Sequence, residues 1–174
     1  MKRLLLALFF FSLVSQAETM GGTIGPIAKF AQVGNGGLFT LGGRINAHFL
    51  DRYIAGIGGH GSLAQTTLAI DGINEQVGYY YGALGLGVRF FPDSFIHLTN
   101  YNNFGLGQLH LKNRGQKSLV FSIEPELNVE VDLLSLMRIG AGLSYRFMFA
   151  KDLTVSNASL FGVGGQLYVE FGWL

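Results

Sequence analysis

SLVFSIEPELNVEVD, residues 118–132, reads as two interleaved sequences. Leu119, Phe121, Ile123, Pro125, Leu127, Val129 and Val131 fall on one parity. Ser118, Ser122, Glu124, Glu126, Asn128, Glu130 and Asp132 fall on the other, with Val120 the one exception. A strand sends alternate side chains to opposite faces, whereas a helix would mix the two sets. The stretch is therefore a strand with one greasy face and one ionic face. Surface strands of soluble proteins seldom carry seven apolar residues at every second position, so the greasy face calls for lipid or a core.

The pattern extends outward from there. Met137, Ile139, Ala141, Leu143, Tyr145, Phe147 and Phe149 oppose Arg138, Gly140, Gly142, Ser144 and Arg146. Phe161, Val163, Gly165, Leu167, Val169, Phe171 and Trp173 oppose Gly162, Gly164, Gln166, Tyr168, Glu170 and Gly172. Phe39, Leu41, Gly43, Ile45, Ala47 and Phe49 oppose Leu38, Thr40, Gly42, Arg44, Asn46 and His48. Weaker alternation predicts strands over residues 23–33, 53–64 and 77–90. Residues 95–107 are the least regular, because Asn100, Asn102 and Asn103 interrupt either face, and a bulge or early exit from the sheet is expected there. Eight strands of about 11–14 residues result, long enough to cross a bilayer when tilted.

Connections alternate in length. Leu50–Arg52, Phe91–Ser94 and Leu133–Leu136 are short, as periplasmic turns should be. Residues 65–76, 108–117 and 150–158 read as longer polar outer links. Gly34–Gly37 reads as a tight hairpin, its Asn-Gly pair supplying positive φ. The expected fold is all-β, an eight-stranded antiparallel up-and-down transmembrane barrel.

Composition agrees. Hydrophobic residues make up 49% of the chain, yet glycine is 26 of 174 and proline only 3. That much glycine disfavours helices. After the N-terminal segment no apolar run reaches the length of a transmembrane helix. The first seventeen residues have the layout of a secretory signal peptide: Lys2 and Arg3, an apolar run from Leu4 to Val14, then Ser15, Gln16 and Ala17 at the cut. Residues 18–174 are then the barrel domain. The chain has no cysteine, which excludes a lipid-anchored lipoprotein and disulfides. No basic patch suggests nucleic acid.

The ionic face carries Lys29, Arg44, Arg89, Arg138 and Arg146 against Glu124, Glu126, Glu130 and Glu170. A lone buried charge is costly, so these residues are expected to pair as a structural network in a narrow lumen. A soluble, lipocalin-like barrel would instead turn its apolar face inward. Aromatic placement favours lipid on that face. Phe49, Tyr53, Phe90, Phe171 and Trp173 fall near one set of strand ends, and Phe30, Phe39, Tyr80, Phe149 and Phe161 near the other, like two girdles.

Several motifs carry a family resemblance. YVEFGWL (168–174) looks like the final strand recognised by the barrel-assembly machinery, with Phe171 and Trp173 at alternate positions, although the last residue of that pattern is usually aromatic and here is Leu174. GGR (42–44), GIGGHG (56–61), SIEPELNVE (122–130) and RIGAGLSYRF (138–147) together resemble a group of small, uncharacterised bacterial outer-membrane barrels. The size resembles the outer membrane protein A and X type, an analogy of architecture alone. The resemblance implies a Gram-negative-type outer membrane, with its lipids and the assembly machinery as partners and an unknown surface ligand at most. It implies no activity.

Chemistry was sought on the same faces. Some barrels of this size deacylate or acylate lipid A, which needs a nucleophile or activated water, a base and an orienting acid. His60, Ser62 and Glu124 are the candidates, and His60 and Ser62 share a face. A polar lumen residue beside a small one is the simpler reading. Glu124 and Glu126 stand about 7 Å apart along one strand, close enough to hold a cation, but arginines on the next strand offer pairing. His48, His60, His97 and His110 share no ligand spacing, so no metal or cofactor is expected. The glycine runs at 56–61 and 82–87 open no helix and are small residues in strands. A non-enzymatic barrel is the leading expectation, with a lipid-modifying enzyme and a narrow pore as alternatives.

Overall fold

The computed structural model describes residues 20–33, 36–63, 66–70, 73–151 and 161–173. The expected signal peptide, the tip of the 34–37 hairpin and most of the 150–158 link lie outside these residues. Every described element is a strand: β1 Met20–Val33, β2 Gly36–Phe49, β3 Tyr53–Ser62, β4 Thr66–Ile70, β5 Ile73–Phe90, β6 Ile96–Leu111, β7 Gln116–Leu134, β8 Met137–Ala150 and β9 Gly162–Trp173.

All pairings are antiparallel. The order runs β3-β2-β1-β9-β8-β7-β6-β5, and β3 pairs with β5 to close the ring. β4 follows β3 and pairs with the far end of β5, from Thr66↔Val77 to Ile70↔Ile73. The wall therefore has eight staves, and β4 with residues 73–77 forms an arm projecting from the third and fourth. Closure removes every free edge along the body of the sheet, so its backbone groups are paired within the wall.

One end carries the short turns at residues 50–52, 91–95 and 135–136. In the first, Leu50 and Asp51 both take left-handed φ (51° and 57°), and the Arg52 N–H closes the turn on the Phe49 carbonyl at 3.2 Å. Paired left-handed residues match the twist of a two-residue hairpin. The opposite end carries the β4–β5 arm and a turn at 112–115 closed by Gly115 at φ 63°.

Three details correct the reading of the sequence. Residues 65–76 are not a simple loop: most of them are paired strand. The 108–117 link is shorter than expected, because β6 runs to Leu111 and β7 starts at Gln116. β6 has no bulge or early exit. Its register is continuous from Leu98 to Leu111 with β5 and from Ile96 to Leu111 with β7. The irregularity lies instead in β7 against β8, between Asp132 and Leu134. Strand lengths run from 5 to 19 residues, because staves continue beyond the greasy band at the arm end.

The faces separate sharply. Leu143 is 69% exposed and Leu167 65%, whereas Glu126 is 2% exposed and Arg146 1%. Apolar side chains point away from the barrel axis, and ionic ones point to it.

Candidate functional site

The only dense collection of chemistry among the described residues is the lumen, and every charged side chain expected there is buried in it. Glu126 on β7 is the hub of the central layer. It accepts from Lys29 Nζ on β1, from Asn103 Nδ2 at 2.6 Å and from Gln166 Nε2 at 2.5 Å, while Arg44 Nη1 lies 3.8 Å away. Glu124 binds Arg146 on the adjacent β8 through two nitrogens, at 3.2 Å from Nε and 2.9 Å from Nη2. It also accepts from Ser144 at 2.9 Å and from Lys29 at 3.3 Å. Lys29 thus bridges both carboxylates from across the lumen.

Arg44 on β2 donates to Glu170 on β9 at 2.6 Å, and Asn46 donates to the same oxygen at 2.8 Å. The Arg44 guanidinium lies between two rings, 4.1 Å from the Tyr168 centroid and 4.9 Å from that of Tyr101. Tyr101 reaches across β5 and β3 because those strands carry glycine beneath it. A Cβ at Gly85 would fall 2.0 Å from the Tyr101 hydroxyl, and one at Gly56 would fall 2.6 Å from it. Inward glycines here are the space that large polar side chains occupy.

Nearer the short turns, Glu130 accepts from the Tyr168 hydroxyl at 2.6 Å, with Arg89 and Arg138 nitrogens 3.5 and 3.6 Å from its other oxygen. A relay follows. Arginine only donates, so His48 Nδ1 accepts from Arg89 Nη2 at 3.3 Å. The hydrogen of His48 is then on Nε2, facing Thr23 Oγ1 at 3.1 Å, and Thr23 donates to Glu170 at 3.3 Å.

Sequence reasoning missed several partners. Asp132, half-exposed at the register shift, accepts two bonds from Arg138 and lies 2.8 Å from His97 Nε2; the His97 Nδ1 lies 2.9 Å from the Phe91 carbonyl. His97 thereby ties β7 to the 91–95 turn. Tyr168, Asn46 and Gln166 stand on the ionic parity, where their polar groups are needed, and Tyr101 and Asn103 join them from β6. Toward the arm end the lumen turns apolar: Ala31, Leu38, Val77, Tyr79, Tyr81, Leu109, Leu111, Val120 and Met148 pack together. Val120, the exception in the alternation, belongs to this plug. Above it Arg114 donates to buried Glu75 at 2.6 Å.

The enzyme candidates do not assemble. Ser62 Oγ accepts from the Tyr79 N–H at 3.0 Å. His60 is stacked on Tyr81, with ring centroids 4.9 Å apart, and its Nδ1 has no hydrogen-bond partner among the described residues. Glu124 is engaged by Lys29, Ser144 and Arg146 instead. No group of histidine, cysteine or acidic side chains among the described residues is arranged to hold a metal.

The sequence matches no family model and no curated protein. Solved structures do share the shape. Neisserial surface protein A superposes with a TM-score of 0.59 at 12% identity, covering 87% of this chain and 96% of its own. Ail, the attachment invasion locus protein of Yersinia pestis, solved in complex with the heparin analogue sucrose octasulfate, gives 0.52 at 13% identity, covering 88% and 96%. At such identities the likeness concerns architecture, and on that ground this chain has the fold of the small eight-stranded outer-membrane barrels.

Proposed function

We propose that this protein is a non-enzymatic outer-membrane barrel whose lumen is a structural core and whose working surface is its outer end. The observation that carries the reading is the inversion of the two faces: leucines and aromatics form the outside, and paired ions fill the inside. Water does not reward such an exterior, whereas acyl chains do. The short-turn end would then face the periplasm, and the β4–β5 arm and the 112–115 turn would face outward. Outer-membrane lipids are the solvent of the wall, and Phe171 and Trp173 on β9 suit recognition by the assembly machinery.

The outer rim suggests what a ligand would be. His110 and Lys117 face each other across β6 and β7, both exposed, and exposed Lys151 continues β8 beside Leu119. Phe121 and Phe149 lie just below, their rings 6.3 Å apart. Cations directly above an aromatic girdle suit anionic groups. Ail, in complex with a sulfated sugar, supports an anionic glycan as the ligand class.

The test is fractionation combined with gel migration. The chain should be recovered in the outer membrane and should migrate faster unheated than boiled. Recovery in the soluble periplasmic fraction would overturn the reading. For the ligand, calorimetry with sucrose octasulfate should show salt-sensitive binding that weakens in Lys117→Ala/Lys151→Ala. Binding unchanged in that variant would remove the rim as the site.

A further inference from the structure

Among the described residues, the middle of the greasy wall has one polar interruption. The outward residues of β6 run Ile96, Leu98, Asn100, Asn102, Phe104 and Leu106, so the two asparagines stand midway along the apolar band. Their outward neighbours are apolar too: Val88 and Leu86 on β5, Leu127 and Pro125 on β7. At that depth a bilayer offers acyl chains, which neither donate nor accept hydrogen bonds. Headgroups and ester groups lie nearer the girdles.

The amides are only partly satisfied. Asn102 Nδ2 donates to Asn100 Oδ1 at 2.9 Å, and Asn100 Nδ2 reaches the Glu126 backbone carbonyl at 3.4 Å. Asn102 Oδ1 accepts nothing among the described residues, and each amide keeps an unused N–H. Each side chain has two donors and an acceptor oxygen. A patch holding both is complementary to itself.

We propose that these asparagines are the centre of a contact between two copies of this chain, related by a two-fold axis along the membrane normal. The proposal rests on the membrane reading above. Such an axis keeps depth constant, so Asn102 of one copy meets Asn102 of the other, and each supplies the N–H that the other carbonyl lacks. The contact is isologous and closes as a dimer. The same axis sets β5 of each barrel against β7 of its neighbour. On the β5 side lies a groove of about 350 Å3 lined by Phe49, Tyr53, Ala55, Leu86 and Val88. On the β7 side Leu127 and Val129 protrude, 53% and 50% exposed. A ridge and a groove at matching depth give the amides an apolar surround.

The chain has no cysteine, so single thiols report the contact cleanly. Leu98→Cys sits beside the asparagines on β6, with Phe104→Cys as a second position, and Ile24→Cys on β1 is on the opposite wall. In outer membranes treated with a short thiol-to-thiol crosslinker, the β6 variants should give a dimer band and Ile24→Cys should not. Adding Asn100→Leu/Asn102→Leu should cut the dimer band at least tenfold while heat-modifiable migration is kept. Equal crosslinking at Leu98 and Ile24, a dimer that survives loss of both amides, or a band containing a different protein would overturn the proposal. Recovery of the unmodified chain outside the membrane would instead remove the membrane reading, and this one with it.

Discussion

The guanidinium of Arg44 lies 4.1 Å from the centre of the Tyr168 ring while its Nε binds Glu170, two residues further along the same strand. The Tyr101 ring lies 4.9 Å from the same guanidinium. Planarity, charge and a directed N–H are all used, and lysine offers only the charge. Arg44→Lys should therefore destabilise the barrel by about 1–2 kcal/mol, read as a lower urea midpoint for the folded gel band in lipid vesicles. An unchanged midpoint would mean that the stacking contributes nothing.

Glu126 holds Lys29 and three amide donors, Asn103, Gln166 and Asn128. Glu126→Gln leaves Lys29 with Glu124 alone in a buried site. A loss of about 3 kcal/mol or more is expected. Adding Lys29→Met should recover part of it, because the orphaned charge is what costs most. The double-variant cycle in the same urea titration measures that coupling.

Leu143 stands on the greasy face at mid-strand of β8. Leu143→Arg should cost about 2–4 kcal/mol in a bilayer. In a soluble barrel the same change at a side chain this exposed would be nearly neutral. Refolding yield and urea stability in vesicles therefore test the direction of the two faces through one residue.

Gly85 lies under the Tyr101 hydroxyl. Gly85→Ala drives a methyl group into that ring, which also gives up its 2.9 Å bond to Asn46. Overpacking of this kind costs about 1–3 kcal/mol. Combining it with Tyr101→Phe should cost less than the sum of the two, and additivity would show that the ring is not the obstacle.

His97 joins the Phe91 carbonyl to Asp132. His97→Ala should loosen the 91–95 turn while leaving the wall closed. Faster amide hydrogen exchange at Ser94 and Ile96, with little change elsewhere, is the expected signature. Exchange unchanged at those positions would show that the turn holds without the imidazole.

The body of the barrel was legible in the sequence because a closed wall with one apolar and one ionic face enforces a period of two on every stave. Where that enforcement ends, so does the signal. β4 and residues 73–76 lie beyond the greasy band, need no apolar face and were read as loop. β6 looked irregular because Asn100 and Asn102 occupy the apolar parity, although its register is unbroken. Leu38 and Val120 stood as apolar residues on the polar parity, and Leu109 fell in an expected link, because nothing local reveals that the upper lumen is apolar. The signs and rows of the charges were readable, but not which acid meets which base. Lys29 and Glu126 are 97 residues apart and meet only across a closed ring. Asp132 stands on the ionic parity but at a strand end beside the register shift, so its pairing with His97 and Arg138 was not legible.

The seam between β1 and β9 joins the two ends of the chain. Lys29 and Arg44 arrive with the first two staves, and their acids arrive with the sixth and eighth, counting staves in chain order. Until the ring closes, these cations stand across an open sheet from their acids, and a buried charge without its partner is costly. On the membrane reading proposed above, a half-built sheet would stay at the water's edge, and zipping the circle shut would be the act that admits the whole structure to lipid.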